Sequence, residues 1–208
     1  MAVSQLALPL DWPASARDTE FLIGAANRLA VRHLERWATW PVPVTLLTGP
    51  RKSGRSRLGR LFAAQTNGRL IDDAHARPEE ELFHGWNAAV ATRRPLLIVA
   101  DAPPPAWAIR LPDLASRLGA SPQVAIGEPD DDLIRALIER RLGQRGLAAP
   151  PRLLDWLLPR IERSYVAVER IVDALDRDAL SRQGPLGLAR AREALSAAGV
   201  VDVSPSRG

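Results

Sequence analysis

The chain has 208 residues, 46% of them hydrophobic, enough to bury one large core or two modest ones. With no cysteine it has no disulfide framework and no thiolate metal site; His33, His75 and His84 stand at no ligand-like spacing and read as surface residues. The net charge is +4, but Lys52 is the only lysine and the arginines lie beside acids, as in Glu139-Arg140-Arg141, which reflects composition rather than a DNA-binding stripe.

Taken from the N-terminus, residues 1–17 read as an irregular apolar arm containing Ala7-Leu8-Pro9-Leu10-Asp11-Trp12-Pro13. It lacks the basic and long apolar regions of a signal peptide, and no later apolar run reaches the ~18 residues of a membrane span. A cytoplasmic location is expected. Apolar positions recur with helical period through Leu29, Ala30, Leu34 and Trp37, predicting a helix over about 25–38 that Pro41 and Pro43 end.

The apolar run Val44-Thr45-Leu46-Leu47-Thr48 predicts a strand. Gly49-Pro50-Arg51-Lys52-Ser53-Gly54-Arg55-Ser56 follows and opens a helix to Gln65. Strand, glycine loop and helix make a P-loop, with Arg55 where lysine is usual. The loop N–H groups and the helix N-terminus form a ready anion site. A planar guanidinium places charge on a phosphate differently from a compact ammonium, so nucleotide binding is expected more than fast hydrolysis. A strand–helix turn that binds nothing has the same spacing.

Asn67-Gly68 turns the chain into Arg69-Leu70-Ile71-Asp72-Asp73, a short strand ending in two acids. Pro78 and three glutamates start a helix to Ala91, as the helix dipole favours. Leu96–Ala100 reads as a buried strand ending at Asp101, before the breaker Pro103-Pro104-Pro105. A short helix over 111–118 and a last strand over 124–126 complete the α/β part. Beyond Gly127 the pattern is all-helical, with helices over about 131–142, 151–161, 165–182 and 188–197. The expected organisation is an arm (1–17), an α/β nucleotide domain (18–127), a helical domain (128–200) and a disordered tail (201–208).

These pieces, in this order, resemble AAA+ ATPases of the DnaA clade and, within it, the Hda-type regulators of replication initiation. Phe21-Leu22-Ile23-Gly24-Ala25-Ala26-Asn27 looks like the box that DnaA-type proteins place against the adenine, which implicates Phe21, Gly24 and Asn27. Hda-type P-loops likewise carry G-R-S, so the resemblance makes Gly49 to Ser56 the site for ADP or ATP. Leu97–Asp101 corresponds to the sensor 1 strand, with Asp101 the sensor. Leu111-Pro112-Asp113-Leu114-Ala115-Ser116-Arg117-Leu118 corresponds to the box whose arginine finger would be Arg117. A guanidinium at a domain edge can stabilise charge on a neighbouring subunit's γ-phosphate. Gln5-Leu6-Ala7-Leu8-Pro9-Leu10 looks like the clamp-binding peptide of Hda, implicating Gln5, Leu6, Leu8, Pro9 and Leu10.

The sequence also departs from that pattern. By order, Asp72 is the Walker B acid, sharing Mg²⁺ with Ser56, and Asp73 lies near the attacking water. Asp72 follows Ser56 so closely that the family's second strand and its helix are expected to be missing. The family order 5-1-4-3-2 becomes a reduced parallel sheet, 5-1-4-3, beside a small all-α lid. The rival assignment makes Asp101 the Walker B acid. Tyr165-Val166 stand where the sensor 2 arginine should be, with Arg163 and Arg170 offset from it. The helix-turn-helix domain of DnaA has no counterpart, so sequence-specific DNA binding is not expected.

The resemblance therefore implies an adaptor that binds the DNA polymerase sliding clamp and stimulates ATP hydrolysis by DnaA through Arg117, with slow or no turnover of its own. No membrane partner is implied, and a homo-oligomer stays open. The alternatives are a self-sufficient P-loop ATPase such as a helicase loader, and a nucleotide-free descendant in which Arg55 and Asp72 pair with each other.

Overall fold

The computed structural model describes residues 21–182 and 186–201. They fall into two compact units, one ending at Glu128 and the other beginning at Pro129. The clamp-type peptide at Gln5–Leu10 and the tail from residue 202 lie outside the described residues.

The first unit is an α/β layer structure. Strands β1 (Val44–Thr48), β2 (Arg69–Ile71), β3 (Leu96–Ala100) and β4 (Gln123–Ala125) form one parallel sheet in the order β2-β3-β1-β4. This is the reduced sheet expected from the sequence, with no strand beyond β2 among the described residues. The two central strands are buried at every position, as an all-parallel sheet covered on both faces requires. Val44, Leu46, Leu96, Ile98 and Ile71 pack with Leu82 and Ala89 of α3 (Glu79–Thr92) and with Leu114 and Leu118 of α4 (Pro112–Ala120).

Two other helices belong to this unit: α1 (Arg28–Glu35) and α2 (Arg55–Thr66). The first is shorter than the periodicity predicts and passes into a tight 3₁₀ turn at Trp37–Thr39. There the Trp40 indole N–H donates to the His33 carbonyl (3.0 Å) and the indole ring lies between His33 and Phe62 of α2. His33 is thus not the surface residue its spacing suggested. Half-buried, it contacts the Thr45 hydroxyl at 2.8 Å, and burial lowers its pKa from 6.5. β2 also stops short, at Ile71, because Asp73 adopts a left-handed conformation (φ 53°) that an extended strand cannot hold.

The second unit contains α5 (Asp131–Gln144), α6 (Pro151–Leu157), α7 (Tyr165–Ser181) and α8 (Leu188–Ala197). Asp130 and Ser164 cap α5 and α7 by accepting from the Leu133 and Ala167 amides (2.8 and 3.1 Å). Past Leu157, α6 tightens into a 3₁₀ turn containing Pro159, which has no N–H to continue the α-helix. The core is drawn from the unit's own leucines and isoleucines, including Ile138, Leu154, Ile171, Leu175 and Leu195, all fully buried. Among the described residues no helix is long and apolar enough to cross a membrane.

Candidate nucleotide site

All the strands being parallel, their C-terminal ends lie together along one edge of the sheet, where ligands of open α/β folds bind. Three sequence-predicted segments converge there. The loop 49–54 leaves β1, Asp72 and Asp73 follow β2, and Asp101 follows β3.

The loop needs glycine at both ends. A Cβ at Gly49 would lie 2.9 Å from the Ile126 carbonyl oxygen. Gly54 takes φ 87°, and a Cβ there would lie 3.0 Å from the Phe21 ring. Phe21 therefore sits directly on the P-loop. The rest of its box is held beside it by Asn27, which is 2% exposed. The Asn27 side chain accepts from the Gly24 amide (3.0 Å) and donates to the Leu22 carbonyl (2.8 Å). The Gly127 amide donates to the Ala26 carbonyl (2.8 Å), fastening the box to the end of the sheet. Asn27 and Gly24 thus shape the segment that carries Phe21.

Ser56, in the first turn of α2, donates its hydroxyl hydrogen to an Asp72 carboxylate oxygen at 3.0 Å. The same carboxylate oxygen accepts from the Asp73 amide (3.1 Å), while the Asp73 side chain is exposed. Arg55 is turned inward and buried. One guanidinium nitrogen donates to the Gly49 carbonyl and the other to the Asp101 carboxylate. The pairing of Arg55 with Asp72 is therefore corrected: Asp72 bonds the serine, and Asp101 holds the arginine. Two buried polar atoms in the loop, Ser53 Oγ and Arg55 Nε, have no hydrogen-bond partner among the described residues. Both can donate, and buried donors of this kind find partners in nearly all folded proteins. A loop with two of them fits an anion.

Arg117 lies elsewhere in the unit. Its guanidinium stacks over Phe83 and Trp86 of α3 (4.8 and 4.7 Å to the ring centroids), donates to the Asn87 side-chain oxygen and pairs with Asp113 at 2.8 Å. Its side chain is only 26% exposed, so it is neither a solvated arginine nor one projecting from the surface. Sequence reasoning missed this nest because Phe83, Trp86 and Asn87 lie on α3, some thirty residues before Arg117 on α4. In the helical unit Tyr165 is buried, and Arg163, offset from the sensor 2 position, bonds Asp131 through both carboxylate oxygens (3.0 and 3.1 Å).

No family model matches the chain. Over 111 residues, 51% of its length, it is 29% identical to the chromosomal replication initiator protein DnaA of Borreliella afzelii. That match spans 23% of the relative, about a quarter. The chain is similar in structure to domain III of the Thermotoga maritima replication initiation protein DnaA, with a TM-score of 0.71 at 15% identity over 85% of this chain and 94% of that one. A DnaA bound to AMPPCP and single-stranded DNA gives a TM-score of 0.57 at 15% identity, covering 86% and 79%. The chain thus has an AAA+-type α/β fold and is similar in sequence to a DnaA over about half of its length.

Proposed function

We propose that the protein is an adenine-nucleotide-binding regulator of replication initiation of the Hda type. The observation that carries the nucleotide half is the P-loop itself: buried Ser53 Oγ and Arg55 Nε lack partners, in a loop where a Cβ at Gly49 would crowd the Ile126 carbonyl and Gly54 takes a left-handed conformation. Ser53, Arg55 and the loop amides would hold the phosphates, with Gly49, Pro50, Arg51, Lys52 and Gly54 setting the path of the backbone. Phe21 would flank the base. Ser56 and Asp72, already 3.0 Å apart, would hold a Mg²⁺ that neutralises phosphate charge. A DnaA of similar fold is bound to AMPPCP and single-stranded DNA, which supports an adenine nucleotide as the ligand here.

The chain's own hydrolysis is expected to be slow. Arg55 is committed to Asp101, Asp73 is solvent-facing, and Arg163 is tied to Asp131. The regulatory half rests on the L-P-D-L-A-S-R-L run and on the Gln5–Leu10 peptide, which would tether the module to a sliding clamp beside DnaA. To reach a partner's phosphate Arg117 must first leave Phe83 and Trp86. A helicase-loader reading requires strong intrinsic turnover and so fits this site less well.

The test measures ATP hydrolysis by DnaA in the presence of clamp-loaded DNA and this protein. Stimulation by the wild-type chain, lost in Arg117→Ala and in a Gln5→Ala, Leu8→Ala double variant, supports the reading. Unchanged DnaA hydrolysis with a folded, clamp-bound wild-type protein rejects the regulatory half.

A further inference from the structure

We propose that Asp101 is a positioning residue that competes with the ligand for Arg55 and so sets the affinity of the loop for phosphate. The inference rests on the nucleotide reading above and assigns the control of that same site.

Arg55 stands at the motif position whose side chain reaches the outer phosphates. Yet both terminal nitrogens of its guanidinium are already engaged within the chain, one by the Gly49 carbonyl and one by Asp101. The backbone repeats the link, since the Gly49 amide donates to the Asp101 carbonyl at 3.3 Å. Loop entrance, arginine and the end of β3 thus form a closed set of contacts. Arg55 is 9% exposed in its side chain, so its charge is met by these partners rather than by water.

A carboxylate and a phosphate oxygen carry the same charge sign and want the same donors. The Asp101 carboxylate therefore both occupies an N–H that phosphate would take and cancels the charge that would attract it. Asp72 cannot do this, being bonded to Ser56 and to the Asp73 amide. Because the Asp101 side chain is 45% exposed, a ligand can displace it without burying an abandoned charge.

The experiment titrates ADP and inorganic pyrophosphate into the full chain by calorimetry, comparing wild type, Asp101→Asn, Arg55→Ala and the double variant. Asparagine keeps the shape and one acceptor while removing the charge. Asp101→Asn is expected to tighten both ligands about tenfold, the order for a half-exposed ion pair. The gain should largely vanish when Arg55 is alanine. Asp101→Ala serves as the second variant if asparagine disturbs folding, checked by circular dichroism. Equal or weaker binding by the folded Asp101 variants, with wild type binding normally, overturns the proposal and leaves the nucleotide reading intact. So does a gain that persists undiminished without Arg55, which would mean general charge repulsion. Failure of every variant to bind either ligand overturns the nucleotide reading as well.

Discussion

Arg117 shows how one side chain can hold two helices together. A guanidinium over two aromatic faces, with a carboxylate and an amide oxygen at its rim, is desolvated on its flat sides and satisfied at its edges. Arg117→Ala should therefore destabilise the α/β unit by about 1–2 kcal/mol in chemical denaturation, before any effect on a partner is considered. Arg117→Lys should recover little of that loss, because an ammonium cannot stack as a plane. His33 gives a second residue-level prediction. Burial lowers its pKa below 6.5, so the fold prefers the neutral ring over the protonated one. That contribution to stability is complete above the unfolded value and is lost as pH falls through the depressed folded value. His33→Gln should flatten the decline in melting temperature across this acidic window. That the glycine loop and Asp72 meet at one edge of the sheet was legible in the sequence, because each directly follows an apolar strand. The nest of Arg117 and the Arg55–Asp101 pair were not, because each joins segments distant in sequence.

Among the elements, α3 and α4 are linked at their starts by Glu79. Its two carboxylate oxygens accept from the Arg110 and Leu111 amides, both at 2.8 Å, just ahead of the proline that opens α4. Those backbone hydrogen bonds lower the Glu79 pKa below 4.5, so the link is complete above that pH and is lost as the carboxylate protonates. Glu79→Gln should reduce the acid sensitivity of the unit below pH 4.5, read by tryptophan fluorescence. Element types followed from periodicity and punctuation: the four strands and the four helices of the second unit lie where apolar runs, prolines and acidic caps place them. The ends were harder to read. α1 gives way to a 3₁₀ turn through the indole of Trp40, and β2 stops where Asp73 turns left-handed. Both boundaries are decided by side-chain packing or local backbone conformation rather than by residue pattern.

On the scale of the whole molecule, each unit has a core of its own. A fragment beginning at Pro129 should keep its helical circular dichroism and melt cooperatively. Within it, Leu175→Ala, at a fully buried position of α7, should cost about 2–5 kcal/mol. A non-cooperative melt of the fragment would show that its core is insufficient alone. The sheet has a different consequence, for synthesis. Both neighbours of β1 come later in the chain, β3 at Leu96 and β4 at Gln123. As the polypeptide leaves the ribosome, Val44–Thr48 emerges as an apolar segment with no ladder to join, a wait in which strands pair with the wrong chain. Pro41, Pro43 and Pro50 flank it on both sides and withhold the backbone donors that a misplaced neighbour would need. The prolines that bound the central strand in the finished fold would thus also protect it while its partners are still being made.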